Sequence, residues 1–164
     1  MTVEEVLDRV KGYPCRLVEL TGGEPLLQEE VYPLMGRLLE ENYEVLIETS
    51  GSLDIRRLDP RVHIIMDIKC PGSGMSQWIR WENIQALTSR DEIKFVVRDR
   101  KDYEWAVGIV QRYNLAGRCP LLFSPVFGEL EPHQLAQWIL QDGLQARLQL
   151  QIHKYIWDPQ IRGV

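Results

Sequence analysis

Apolar residues follow two alternating rhythms along this chain. Val3, Val6, Leu7 and Val10 recur at i, i+3, i+4 and i+7, one face of a helix. Thr2 and Glu5 bracket its start as a capping box, the hydroxyl accepting from the Glu5 amide while the Glu5 carboxylate reaches back. Gly12 ends it. A short apolar strand is predicted over 16–21. Helical spacing returns at Leu34, Met35, Leu38 and Leu39, a helix over roughly 31–41 with Pro33 in its first turn. The unit then recurs. Strands are predicted over 43–49, 62–69, 92–97 and 121–126, the last broken by Pro125, and a final one over 148–156. Helices are predicted through Trp78, Trp81, Ile84 and Leu87, through Tyr103, Ala106, Val107, Val110 and Tyr113, and after Pro132 through Leu135, Trp138 and Ile139.

The first five strands end near residues 21, 49, 69, 97 and 126, about the length of one strand plus one return helix apart. This is a β/α series, and it calls for a parallel sheet. Runs such as VLI, IIM, FVV and LLF fit strands covered on both faces. Right-handed crossovers bring every strand's C-terminal end to one rim, where ligand sites lie in such sheets. Polar residues collect there: Thr21-Gly22-Gly23-Glu24, Glu48-Thr49-Ser50, Asp67-Ile68-Lys69 and Ser124-Pro125-Val126. The adjacent glycines after the first strand let backbone approach a ligand closely. Glu24 adds a negative charge suited to an ammonium, and Pro25 stiffens the exit. A small-molecule site on this rim is expected.

The series opens on a helix where a strand is due. The strand over 16–21 would then be an exposed apolar sheet edge, which soluble proteins usually avoid. A preceding β unit is therefore expected to be absent from this sequence: lost, mis-started, or supplied by another chain.

Composition adds limits. The chain has 164 residues, read as one domain over 1–164, with 26% charged residues and a formal net charge of −5. No basic stretch suits a nucleic acid, no apolar run approaches the ~20 residues of a membrane span, and the acidic start is no signal peptide. A cytoplasmic protein is expected. Cys15, Cys70 and Cys119 have neither metal-ligand nor redox spacing and read as free thiols. The five tryptophans read as packing residues. No catalytic side chain and no metal ligand is assigned.

TGGEP at 21–25, ETSG at 48–51, IKCPGSGM at 68–75, DEIKFVV at 91–97, FSPVFG at 123–128 and QIHKYIWDPQIRGV at 151–164 together resemble the 7-carboxy-7-deazaguanine synthase family. This is a radical S-adenosylmethionine (SAM) family of the queuosine precursor pathway, and the likeness runs through nearly the whole chain. The resemblance implies a partial (β/α)6-type barrel with mostly parallel strands, its first strand unit missing. It implies a carbon–nitrogen lyase that contracts 6-carboxy-5,6,7,8-tetrahydropterin to 7-carboxy-7-deazaguanine with loss of ammonia. The cofactors implied are SAM, a [4Fe-4S] cluster and Mg²⁺. The family's cluster motif, CxxxCxxC, does not occur here, nor does the neighbouring Mg²⁺-contacting threonine, so the chain alone is expected to be inactive.

By the same resemblance, Gly22, Gly23 and Glu24 meet the SAM amine. Asp67, Ile68 and Lys69 match a SAM-contacting segment that usually reads Ser-Pro-Lys. Ser124, Pro125, Val126 and Phe127 lie near the adenine. Thr21, Glu48, His153 and the Val164 carboxylate are the implied substrate contacts, His153 doubling as an ordinary packed strand histidine. A pterin substrate, a homodimer and a flavodoxin-like reductant are the implied partners. Two other readings stand beside this one: a cluster-free module that binds SAM or a pterin, and an interaction protein that pairs through its edge strand.

Overall fold

The computed structural model describes residues 1–161. Six strands form one parallel sheet in sequence order: β1 (Leu17–Leu20), β2 (Glu44–Thr49), β3 (His63–Lys69), β4 (Glu92–Val97), β5 (Leu121–Pro125) and β6 (Arg147–Leu148). Four α-helices pack against its convex face: α1 (Val3–Lys11), α2 (Val31–Glu40), α3 (Arg100–Arg112) and α4 (Pro132–Gln141). The capping box at Thr2 and Glu5 forms as the sequence implies. Among the described residues β1 pairs only with β2, so it borders the sheet, with Leu17 half exposed.

Alternation along the strands separates two unlike faces. Val45, Ile47, Ile64, Met66, Ile68, Ile93, Phe95, Leu121 and Phe123 are buried toward the helices. Phe95 and Phe123 rings lie 5.1 Å apart, and Tyr103 of α3 meets Phe123 edge-on at 5.8 Å. The opposite parity holds Glu19, Glu48, Asp67, Lys69, Lys94 and Ser124, which occupy the concave face.

Three expectations need correction. The residues around Trp78 and Trp81 form two short 3₁₀ turns, Ser76–Trp78 and Trp81–Gln85, in place of one α-helix. Neither the β2–β3 nor the β3–β4 connection contains an α-helix. The final strand is only Arg147–Leu148, and the chain then turns into a one-turn helix, α5 (His153–Ile156). Leu148, Leu150 and Ile152 are exposed, so no apolar face holds that stretch extended. The tryptophans also divide: Trp81, Trp105 and Trp138 pack on the core, while Trp78 and Trp157 are exposed. No helix among the described residues is long and apolar enough to cross a membrane.

Asp91 shows how the strand entries are fixed. It is 4% exposed and accepts from the Ile64 amide at 2.9 Å, the Thr88 amide at 2.7 Å and the Thr88 hydroxyl at 2.8 Å. Asp91→Ala would strand these donors. It should cost about 2–4 kcal/mol in urea unfolding, with Asp91→Asn costing less.

Candidate functional site

The glycine turn sits at the C-terminal end of β1. Gly22 adopts φ +136°, a conformation that favours glycine, and a Cβ built on Gly22 or Gly23 meets nothing within 4 Å. The turn therefore leaves open space above the sheet. Glu24 follows as the N-cap of the 3₁₀ turn Pro25–Leu27 and accepts from the Leu26 amide at 3.2 Å.

The Glu24 carboxylate also reaches β2. The Thr49 hydroxyl donates to it at 2.9 and 3.0 Å, the Ser50 amide at 2.8 Å and the Ser50 hydroxyl at 2.5 Å. A carboxylate offers about four lone-pair directions, and these contacts fill them. Four neutral protein donors thus surround the charge expected to meet an ammonium.

Two further buried groups hold the neighbouring loops. Asn83, 2% exposed, donates to the Gly51 carbonyl at 3.0 Å and the Leu53 carbonyl at 2.7 Å, and accepts from the Ile55 amide at 3.4 Å. Gly51 has φ +69°, and a Cβ there would lie 2.9 Å from Met66 Sδ, so the Ser50–Ser52 turn needs glycine twice over. Asp102, 4% exposed, accepts from the Gly72 amide at 2.8 Å and the Arg98 amide at 3.3 Å, tying the β3 loop to the β4 loop.

These anchors frame two cavities on the rim. The larger, about 500 Å³, is lined by the polar or small residues Gly23, Glu24, Ser50, Ser52 and Lys69 together with the apolar Leu27, Met75, Trp78 and Ile79. The smaller, about 210 Å³, is lined by Glu48, Asp67, Lys69, Lys94, Arg98, Val126 and Gln151 among others. Lys69 borders both, its ammonium 2.5 Å from Asp67 Oδ2. Burial pushes the Asp67 carboxyl upward against the pull of Lys69, and Asp67 Oδ1 has no partner.

The expected site residues divide accordingly. Gly23, Glu24 and Lys69 share the larger cavity, and Glu48, Asp67, Lys69 and Val126 the smaller. Thr21 lies in a separate groove beside α1. The Ile68 side chain is fully buried toward the helices, so any contact from it is through backbone. Ser124 is 1% exposed with its hydroxyl unpartnered, and Phe127 packs edge-on with Tyr155 at 5.2 Å. His153 is in α5, in neither cavity, and so is not a strand histidine. Val164 lies outside the described residues. Asn83, Lys94, Asp102 and Trp78 are the rim residues that sequence reasoning passed over.

The cysteines do not converge. Cys15 is exposed, Cys70 and Cys119 are buried, and burial raises both buried thiols, Cys119 to about 11. Among the described residues no group of three His, Cys, Asp or Glu side chains could hold a metal ion. These residues therefore do not fit an iron–sulfur cluster.

No protein-family model matches the chain. The 7-carboxy-7-deazaguanine synthase of Chlorobaculum tepidum is 45% identical over 167 residues, spanning 100% of this chain and 76% of that protein. The enzyme of the same name from Koribacter versatilis is 44% identical over 179 residues, spanning 100% and 79%. Among solved structures, QueE from Escherichia coli matches with a TM-score of 0.72 at 22% identity, covering 92% of this chain and 64% of that one. Streptococcus suis SuiB bound to S-adenosylmethionine matches at 0.61 and 12% identity, covering 92% and 44%.

The parallel sheet and its flanking helices form a partial (β/α) barrel, the fold shared with these solved structures. Within that fold, identity over the whole chain decides the family. The chain belongs to the 7-carboxy-7-deazaguanine synthase family.

The loop anchor at Asp102 gives a direct test. A Cβ at Gly72 would lie 2.5 Å from Asp102 Oδ2. Gly72→Ala should push the carboxylate off its amide partners, and Asp102→Ala should remove it. Both should speed amide hydrogen exchange in the 70–75 loop about tenfold, as expected for one lost hydrogen bond to a charged group.

Proposed function

We propose that this chain contributes the SAM- and substrate-binding rim of a 7-carboxy-7-deazaguanine synthase, which contracts the ring of 6-carboxy-5,6,7,8-tetrahydropterin with loss of ammonia. The observation that carries this is the pairing of whole-chain identity to that family with a Gly-Gly-Glu turn whose Gly23 and Glu24 line a cavity of about 500 Å³.

The larger cavity suits the methionyl part of SAM. Carbonyls of the Gly22-Gly23 turn accept from its ammonium, and Lys69 offers a cation to its carboxylate. Leu27, Met75 and Trp78 supply apolar walls for the carbon chain. Asp67, Val126 and Phe127 carry the site onward toward the nucleoside. SAM held here would supply hydrogen-atom abstraction only after taking up one electron from a reductant that the described residues do not hold. The protein's own part is to hold geometry and exclude water.

Glu48 is the substrate contact that the smaller cavity supports. It comes from the concave face beside Asp67 and Lys94, in reach of a ligand that lies over the sheet. Thr21, His153 and Val164 remain proposed contacts on the strength of the family likeness.

S-adenosylhomocysteine is a suitable probe, since it needs no cluster to bind. Calorimetry on the full chain should give saturable one-site binding. Lys69→Met should weaken it about tenfold or more, the usual cost of a lost charge-assisted hydrogen bond. Absence of any binding to the folded chain would contradict the proposal.

A further inference from the structure

Lys94 reaches across a whole strand. It stands on β4, and its ammonium meets Glu48 Oε1 of β2 at 2.7 Å, passing over β3. The two side chains are only 14% and 23% exposed. In register, Lys94 lies opposite Asp67 of β3, which is 5% exposed, with Oδ2 on Lys69 and Oδ1 unpartnered. On the far side Glu19 of β1 shares the concave parity of Glu48. Three carboxylates from three neighbouring strands thus face two ammoniums, and one of those, Lys69, is held by its own strand.

We propose that Lys94 is the positioning residue of the concave face, the counter-ion that aims Glu48 and balances Glu48, Asp67 and Glu19 together. The proposal rests on Glu48 as a substrate contact and adds the residue that sets its geometry. With Oε1 held by Lys94, Glu48 keeps Oε2 for a donor on the ligand, such as a ring N–H or amino group of a pterin.

The charges around this pair are Glu19 from β1, Asp67, Lys69 and His63 from β3, and Glu92 from β4; Arg98, paired with Glu129, and Asp102, held by the Gly72 and Arg98 amides, line the same cavity. Burial pushes the Glu19 and Asp67 carboxyls upward, Glu48 pushes both further, and Lys94 pulls both down. Removing Lys94 leaves carboxylates facing one another across β1, β2 and β3, and like charges in one site disfavour each other's ionisation.

Carboxyl carbon NMR titrations of the full chain test this, alongside binding of pterin-6-carboxylate followed by its own fluorescence. In Lys94→Met the Asp67 and Glu19 midpoints should rise by about one pH unit, a tenfold change in proton affinity. Pterin-6-carboxylate binding at pH 7 should weaken about tenfold, and Lys94→Arg should restore both within about threefold. Glu48→Gln keeps the ammonium and removes a carboxylate, so it should lower both midpoints. Unchanged midpoints in Lys94→Met, with a native amide spectrum, would overturn the proposal. So would midpoints that fail to fall in Glu48→Gln, which decides the matter if Lys94→Met does not fold. If the midpoints move as expected but the wild type does not bind pterin-6-carboxylate, the counter-ion role stands and the substrate reading falls.

Discussion

The carboxylate of Glu24 joins the exits of β1 and β2, and the rim depends on that junction. It takes both donors of Ser50, the hydroxyl of Thr49 and the amide of Leu26. Hydrogen bonds to a charged acceptor are worth more than neutral ones, and here they are partly buried. The turn that carries Gly22 and Gly23 is thereby fixed against the turn that carries Ser50 and Ser52. The same device recurs around the rim. Asn83 holds the β2 loop and Asp102 holds the β3 loop to the β4 loop. Each is a buried polar side chain whose partners are loop backbone groups, so the loops have few other conformations that satisfy them.

The two faces of the sheet divide the work. Toward the helices lie Ile47, Met66, Ile68, Phe95 and Phe123, and their burial supplies the cohesion. Parallel sheets are commonly apolar on both faces. Here the concave face carries Glu19, Glu48, Asp67, Lys69 and Lys94, groups that are costly to shield from water without partners. A charged concave face is intelligible if a polar ligand completes it.

Much of this was legible in the sequence. Strand ends, the parallel series, the Thr2–Glu5 capping box, α2, α3 and the Pro132 start of α4 all follow from periodicity and caps. The stretch from Trp78 to Leu87 misleads because spacings of three and four also suit consecutive 3₁₀ turns. Asn83, buried to satisfy Gly51 and Leu53, is a tertiary requirement that helical periodicity does not register. The alternation after Leu148 suggested a strand, yet those apolar residues have no surface to cover and remain exposed. Lys94 was hidden because the apolar signal of β4 lies in the FVV run that follows it. A signal was present: Glu48, Asp67 and Lys94 are each a lone charge between buried neighbours, and the register sets all three on one face.

The most direct test concerns what Glu24 does. Glu24→Gln replaces one acceptor oxygen with an NH₂ group facing the donors of Thr49 and Ser50. Amide hydrogen exchange at Ser50 and Leu26 would be measured together with S-adenosylhomocysteine affinity. If the carboxylate is a clamp, exchange at Ser50 quickens and affinity falls with it. If Ser50 stays as protected as in the wild type while affinity is lost, Glu24 contacts the ligand itself and its role as a clamp is contradicted.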